Sequence, residues 1–394
     1  MRVRILTVNF PVPSETFACV EFQSLKKLGV ELSIRELGFA NRSFDQMLED
    51  YGLQDVDRSS QTIREFPWNC TILLRHPILA MELVLCIFSK LLLSPRQLIK
   101  SLILVPKSVA IFEEIRQDKP DVVHLFWGHY PALVAWLIDR YLPTQKWSIA
   151  LNAYDLWMNY PVTLSILPRA GFIRVISQAN ARELQHAIAA ISELLVIPHG
   201  IDLQTFRDSS TERIPYRFFS AGRLVPKKNF LSVLKAFARF NREHPNATLV
   251  LAGDGPDRGI LEEFVATNNL QNAVQFLGHI PQKRLADELA KSEVFLFLSE
   301  EEMLPNVVKE AMASGCICVV RRTPGIEELI ESSDYGFVVD SDQDATDCIR
   351  SLFRMTQEER CRMAARAIQF IAENYEMGNC ASRLRTAWLD LMKR

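Results

Sequence analysis

The sequence predicts an α/β protein of two domains, each built on a parallel sheet with helices on both faces. Three observations carry this. The chain has 394 residues, and a single core stops growing well before that length, so the chain divides. Short β-branched runs alternate with longer helical patterns nearly throughout, the form taken by repeated strand–helix–strand units. Hydrophobic residues make up 48% and charged residues 23%, with only 15 Gly and 19 Pro, which fits packed cores and excludes a low-complexity or disordered chain.

In the first half the strand patterns are Val3–Val8, Val30–Arg35, Val122–Phe126, Trp147–Leu151, Ile173–Ile176 and Leu195–Ile197, separated by helical stretches such as Glu15–Leu28 and Ser177–Ala190. The second half repeats the rhythm at Arg217–Ala221, Thr248–Ala252, Val274–Leu277, Val294–Leu298, Cys316–Val320 and Phe337–Val339. Between the two series lie the turn Pro198-His199-Gly200 and the polar, aperiodic stretch Arg207–Pro215, which reads as a linker. Domains are therefore expected over residues 1–205 and 206–376, followed by a last helix within 377–394. No sequence word recurs between the halves, so similar folds are inferred and not a solenoid.

Lys+Arg 45 against Asp+Glu 47 gives a formal charge of -2, so no global basic field recruits nucleic acid, which is not an expected partner. The eight cysteines are scattered, with one CxC pair and no CxxC; they read as reduced thiols of a cytoplasmic protein. Met1–Phe10 runs directly into a strand pattern without the apolar segment and cleavage site of an export signal. The most apolar region, Thr71–Val105, is interrupted by Arg75, Glu82, Lys90, Arg96 and Lys100, and falls short of the roughly 18 uncharged residues that span a bilayer. With Lys107 it carries five cations to one anion. If Ile78–Leu93 is helical, Glu82 and Lys90 lie within about 80° of each other and leave a broad apolar face. That face either covers the first sheet or lies on an anionic membrane surface. The expected location is the cytoplasm, with room for peripheral contact at the inner face of the plasma membrane.

The densest chemistry lies in Ser299–Glu310, which follows a buried strand pattern and opens a helix with Pro305 near its first turn. A helix N-terminus at a strand's carboxyl end offers unpaired N–H groups and a positive dipole end, which suit a pyrophosphate. Glu302 before the helix and Glu310 within it could flank one ligand, because acceptor-only groups suit sugar and ribose hydroxyls. Taken alone, such an acidic run is more often a solvated loop. Upstream, Gly222-Arg223 to Lys228 also joins a strand to a helix and places two cations where a diphosphate could be neutralised. Gly253-Asp254-Gly255-Pro256 is a strand-to-helix turn short of a GxGxxG fingerprint. At Gly278-His279-Ile280 a small residue ends a strand where a planar base could lie against the backbone. Four such loops at strand carboxyl ends converge on the crevice where open α/β sheets bind ligands. No HExxH, GxSxG or P-loop occurs. Asp340-Ser341-Asp342 imitates a metal-binding DxD, but its position between a strand and a helix favours capping.

Together these residues resemble glycosyltransferase family 4, the retaining transferases of GT-B fold, over nearly the whole chain. The sharpest mark is glutamate, seven residues, glutamate, met by Glu302 and Glu310 with Pro305 between. The resemblance implies two Rossmann-like domains with parallel sheets facing a central cleft, and a last helix returning to the first domain. It implies that Arg223 and Lys228 bind the donor diphosphate, Glu310 the ribose and Glu302 the transferred sugar. Backbone amides of Met303, Leu304, Pro305, Asn306 and Val307 would hold sugar and phosphate, and Gly278, His279 and Ile280 would border the base, with Gly253 close by.

In the first half the segment Phe10–Phe17, with Ser14, Glu15 and Thr16, looks like the acceptor loop of family members that build bacterial surface polysaccharides, and Ile197–Asp202 like the family's hinge. Where relatives carry His-Gly-x-Asp, this chain has Asn152-Ala153-Tyr154-Asp155; asparagine is neither acid nor base, while the backbone carbonyl there can still serve. His124 and His129 flank Phe126-Trp127-Gly128 at a strand end and either line an acceptor site or serve structure. Arg321 and Arg322 follow a donor-domain strand and suit a carboxylate, as in a UDP-hexuronate, unless they face water or the Glu327-Glu328 pair. The implied reaction is metal-independent transfer, with retention, of a hexosyl or hexuronosyl group from a nucleoside diphosphate sugar, most simply a UDP-sugar. The acceptor would be a saccharide or lipid-linked saccharide, and no cofactor is expected. The alternatives are a GT-B nucleotide-sugar epimerase and a silent partner subunit that binds the nucleotide sugar, for which Asn152 is the best support.

Overall fold

The computed structural model describes residues 1–12, 15–39, 44–61, 66–152, 155, 158–187, 193–206 and 212–394. Ser14, Tyr154 and residues 207–211 of the expected linker therefore lie outside the described residues. The chain forms two compact units, Met1–Pro198 with Cys380–Arg394, and His199–Asn379.

The first unit is a seven-stranded sheet in the order β3-β2-β1-β4-β5-β6-β7, parallel throughout. Its strands are β1 (Arg2–Thr7), β2 (Glu31–Phe39), β3 (Asp57–Gln61), β4 (Val122–Leu125), β5 (Trp147–Leu151), β6 (Ile173–Val175) and β7 (Leu194–Val196). Alternation of side chains divides them between two cores. Val3, Ile5, Ile34 and Val122 face the helix Thr16–Lys27 and the last helix, Met377–Lys393. Leu6, Val123, Leu125 and Ile149 face the other way, toward the helices Pro77–Leu91, Pro95–Asp118 and Ala132–Tyr141. β3 is the strand the sequence did not announce. It reads Asp-Arg-Ser-Ser-Gln and pairs only with β2 at the sheet edge, a position that does not demand buried apolar alternation.

One ion pair is locked into this unit. Arg174 of β6 meets Glu21 through two bonds of 2.6 and 2.7 Å, both side chains almost fully buried. Its remaining donors reach the carbonyls of Ile197 at 2.8 Å and Pro198 at 3.1 Å. A desolvated pair is tolerable when further hydrogen bonds satisfy it in this way.

Two readings change here. His124 is a core residue and not an acceptor-site residue: it lies in β4, wholly buried, with Nδ1 2.9 Å from Ser148 Oγ and its ring against Trp388. Strand alternation aims it under the last helix, where Trp388 Nε1 donates to the same hydroxyl at 3.1 Å. Lys107 does not belong to a surface cation cluster, because it is buried and donates to the carbonyl of Gly38.

The second unit carries a six-stranded parallel sheet in the order β10-β9-β8-β11-β12-β13. The strands are β8 (Arg217–Ala221), β9 (Thr248–Ala252), β10 (Val274–Gly278), β11 (Val294–Phe297), β12 (Ile317–Arg321) and β13 (Gly336–Val339). All six fall where the sequence places them, within a residue at each end. Ser341 caps the helix Asp342–Arg354, its Oγ accepting Asp344 N–H at 3.1 Å, as the capping reading expected. The chain joins this unit at His199, before the linker read from the sequence. Lys309 donates to the His199 carbonyl, and Ile201 exchanges backbone bonds of 2.9 and 3.0 Å with Tyr375 and Met377.

All six tryptophans, at 68, 127, 136, 147, 157 and 388, lie in the sequence of the first unit. Replacing Glu21 by Gln leaves the Arg174 charge buried without its anion, at a cost of about 3 kcal/mol or more. Urea unfolding followed by tryptophan fluorescence should show that loss as a lower midpoint.

Candidate active site

In the second sheet the strand order reverses between β8 and β11, the point at which open α/β sheets leave a crevice at their carboxyl ends. The loops leaving these two strands carry Arg223 to Lys228 and Ser299 to Pro305. They are tied together: Lys227 accepts Glu300 N–H at 2.9 Å and Ser299 Oγ–H at 3.1 Å. Across this junction Lys228 pairs with Glu302, both side chains largely buried, and the ammonium lies 5.4 Å from the Phe297 ring centre. Arg223 is exposed and has no ion pair among the described residues.

The neighbouring loops are held backbone to backbone. Gly222 N–H donates to Ala252 at 3.0 Å, Leu224 N–H to Asp254 at 2.9 Å, and Gly253 N–H to Gly278 at 2.8 Å. A Cβ on Gly253 would lie 1.8 Å from the Gly222 carbonyl oxygen, so only glycine permits this approach. After β12 a Cβ on Gly325 would land 0.8 Å from the Met303 carbonyl oxygen. Met303 and Leu304 are buried, Asn306 and Val307 half-buried, and His279 exposed.

The helix Asn306–Ala313 begins at Pro305, which provides no side-chain cap; Val308 N–H donates to the Pro305 carbonyl at 3.2 Å, while the Asn306 and Val307 N–H groups have no intrahelical acceptor. Inside it Glu310 is buried, with no hydrogen bond or ion pair to its carboxyl group among the described residues. Burial pushes that carboxyl up from 4.5 to about 7, opposed by the neighbouring Lys309 charge.

The first sheet has its reversal between β1 and β4. The loop after β4 brings His129, whose Nδ1 lies 2.7 Å from Asp155 Oδ1 with both residues buried. Asp155 also accepts the backbone N–H of Asn152 at 3.0 Å and returns its own N–H to the Asn152 carbonyl at 3.0 Å. The Asn152 side chain donates to the Phe126 carbonyl at 3.3 Å. After β1, Glu15 precedes the helix opened by Thr16, and burial together with the Asp155 charge pushes its carboxyl up to about 7. Trp127 stands half-buried beside them, its ring 6.0 Å from that of His129. A carboxyl titrating near neutrality beside an imidazole–carboxylate pair can accept or return a proton at the pH of the cell.

Residues 204–370 match the family described as Glycosyl transferases group 1. Those residues are a group 1 glycosyltransferase domain. The chain is 24% identical to the N-acetyl-alpha-D-glucosaminyl L-malate synthase of Bacillus anthracis over 298 residues, 71% of this chain and 77% of the synthase. It is 27% identical to the UDP-N-acetylglucosamine--peptide N-acetylglucosaminyltransferase GtfA subunit of Streptococcus pneumoniae over 235 residues, spanning 56% of this chain and 46%, about half, of that relative. Its fold is that of Anabaena HepE, crystallised in complex with UDP, with a TM-score of 0.73 at 16% identity over 99% of this chain and 100% of that one. Two parallel-sheet, Rossmann-like units of this kind make the fold GT-B.

Arg223, Lys228, Glu302 and Glu310 all lie inside the group 1 domain. So does Arg322, which is spoken for: it bonds Asp340 at 2.8 Å and Glu327 at 2.5 Å. Arg321 faces Glu300 at 3.7 Å. The carboxylate-reading role given to this arginine pair is thus met by the protein's own acids. The sequence reading gave His129 no role ahead of His124, and it missed two buried hydroxyls, Ser220 and Thr323, that lack a partner among the described residues. No periodicity marks a hydroxyl of this kind.

The Glu310 carboxyl titrates higher in the folded domain than in the unfolded chain, so the folded state holds the extra proton between pH 4.5 and about 7. Its contribution to stability therefore falls as pH rises through that window. Glu310→Gln removes this penalty, and circular dichroism melts should show the variant gaining on the native domain from pH 5 to pH 8, by up to about 3 kcal/mol.

Proposed function

We propose that this chain transfers a sugar from a UDP-sugar to a saccharide or lipid-linked saccharide acceptor, with retention at the anomeric carbon. The observation that carries this reading is the Lys228–Glu302 pair at the strand reversal of a group 1 domain. It holds a cation for a diphosphate and an acceptor for sugar hydroxyls within one bond of each other. A donor that enters exchanges this internal pair for two new ones, Lys228 to phosphate and Glu302 to sugar. Arg223, unpaired among the described residues, adds a second cation, and the uncapped first turn at Asn306 and Val307 adds N–H groups.

The chemical demand is to stabilise the negative charge that develops as the diphosphate departs, and prearranged cations and N–H groups do so most strongly where water is excluded. Glu310 holds the ribose through its acceptor oxygens, which accounts for a carboxyl buried without a partner. On the acceptor side, the Asn152 carbonyl and the Glu15, His129 and Asp155 group of the first unit supply polar contacts. UDP as carrier is supported by the UDP named with HepE, and N-acetylglucosamine as sugar by the names of the two relatives. The internal pairing of Arg322 favours such a neutral sugar over a hexuronate.

Arg223→Ala and Lys228→Ala should each weaken UDP-sugar binding and slow transfer, with a loss on the order of 2 kcal/mol. Calorimetric titration with UDP and with UDP-N-acetylglucosamine measures the binding part. Release of UDP in the presence and absence of saccharide acceptors measures turnover. Unchanged affinity in both variants would remove the proposed diphosphate site.

A further inference from the structure

The helix Pro77–Leu91 is apolar on two faces. Leu83, Cys86, Ile87 and Leu91 are buried in the first unit's core, which is all that a sheet-covering helix requires. On the other side Ile78, Met81, Leu85 and Phe88 are exposed. Their spacing, followed to Leu92, keeps them within about 80° of one another. The row runs on through the turn, where Leu92 is 66% and Leu93 98% exposed, to Ile99 and Ile103 of the packed neighbouring helix Pro95–Asp118. A row of this length on one side of a domain marks an interaction site, where scattered exposed leucines would not.

Among the described residues the unpaired charges around it have one sign. Arg75, Arg96 and Lys100 are exposed, Lys90 is half-buried, and none of the four has an ion pair among the described residues. The acid of this segment, Glu82, is held by Arg140 and by Tyr141 Oη at 2.6 Å. Arg96 and Lys100 share their helix face with Ile99 and Ile103. Apolar side chains flanked by uncompensated cations form the pattern of a helix that lies in a headgroup layer.

We infer that this face of the first unit docks on an anionic phospholipid bilayer, with Leu92 and Leu93 at the leading turn. A second copy of the chain fits less well, since a twofold contact would set the same cations against one another. No helix among the described residues is long and apolar enough to cross a membrane, so the contact is with one leaflet. This inference stands apart from the transfer reading.

The test is co-sedimentation of the full chain with phosphatidylcholine vesicles, with and without phosphatidylglycerol, at low and high salt. Native protein should partition onto the anionic vesicles and come off with salt. The triple variant Arg75→Glu/Arg96→Glu/Lys100→Glu should lose at least about 100-fold in partitioning. Leu92→Ser/Leu93→Ser should lose binding without shifting the unfolding midpoint, because both side chains are exposed. Absence of native binding to either vesicle overturns the inference, and so does binding that both variants retain. A native dimer in sedimentation velocity that Leu92→Ser/Leu93→Ser dissolves, with no vesicle binding, overturns it in favour of a second copy.

Discussion

In both sheets the strand order turns back between the first strand and the fourth, the place where open α/β sheets leave a crevice at their carboxyl ends. A ligand in such a crevice is gripped from the loops at its rims. In the second unit the rims are brought close by contacts a side chain would prevent. Gly253 lies on the Gly222 carbonyl, and Gly325 lies on the Met303 carbonyl. A side chain at either position would collide with the facing backbone and force the loops apart. The site is therefore specified as much by atoms that are absent as by the charges present.

Electrostatics then separates structural charge from working charge. Arg174 and Glu21 face each other through two bonds in the core, and Arg174 spends two further donors on the Ile197 and Pro198 carbonyls, so the pair is committed to the fold. Lys228 and Glu302 neutralise each other by one bond, so Lys228 can exchange its partner for an anion and Glu302 for a hydrogen-bond donor. Glu310 and Glu15 are a third kind. Their carboxyls are pushed up to about 7 because burial disfavours charge and the fold offers too little compensation. Carboxyls kept in that state cost stability, and sites with a task are where such costs are found.

Most of the fold was legible because strands of sheets covered on both faces are rich in apolar and β-branched residues, and twelve of the thirteen strands among the described residues show that bias in the sequence. β3 was not legible, since an edge strand written Asp-Arg-Ser-Ser-Gln has no apolar signature. The candidate donor loops could be read because their residues are close in sequence to strand ends. His124 and His129 could not be separated that way. Five residues apart, one falls in β4 and is carried into the core, while the other falls beyond the strand and meets Asp155. For Arg322 the alternative partner read from the sequence, the Glu327-Glu328 pair, is met at Glu327, five residues on, while Asp340 and the Gly38 carbonyl that Lys107 reaches are brought from distant segments that a cation's sequence neighbours do not reveal.

Periodicity carries a further ambiguity in the helices of the first unit. A sequence pattern reports that a face is apolar and leaves open what covers it, and Pro77–Leu91 has more apolar surface than the sheet beneath can bury. The cations that break Thr71–Val105 rule out a spanning helix, because each would have to sit in hydrocarbon. They do not rule out a shallower position. With Arg96 three residues before Ile99 and Lys100 three before Ile103 along a single face, the long charged stems can hold their ends at the headgroups while the isoleucines reach below. The interruption that excludes one relation to a bilayer is thus the feature that fixes the depth of the other.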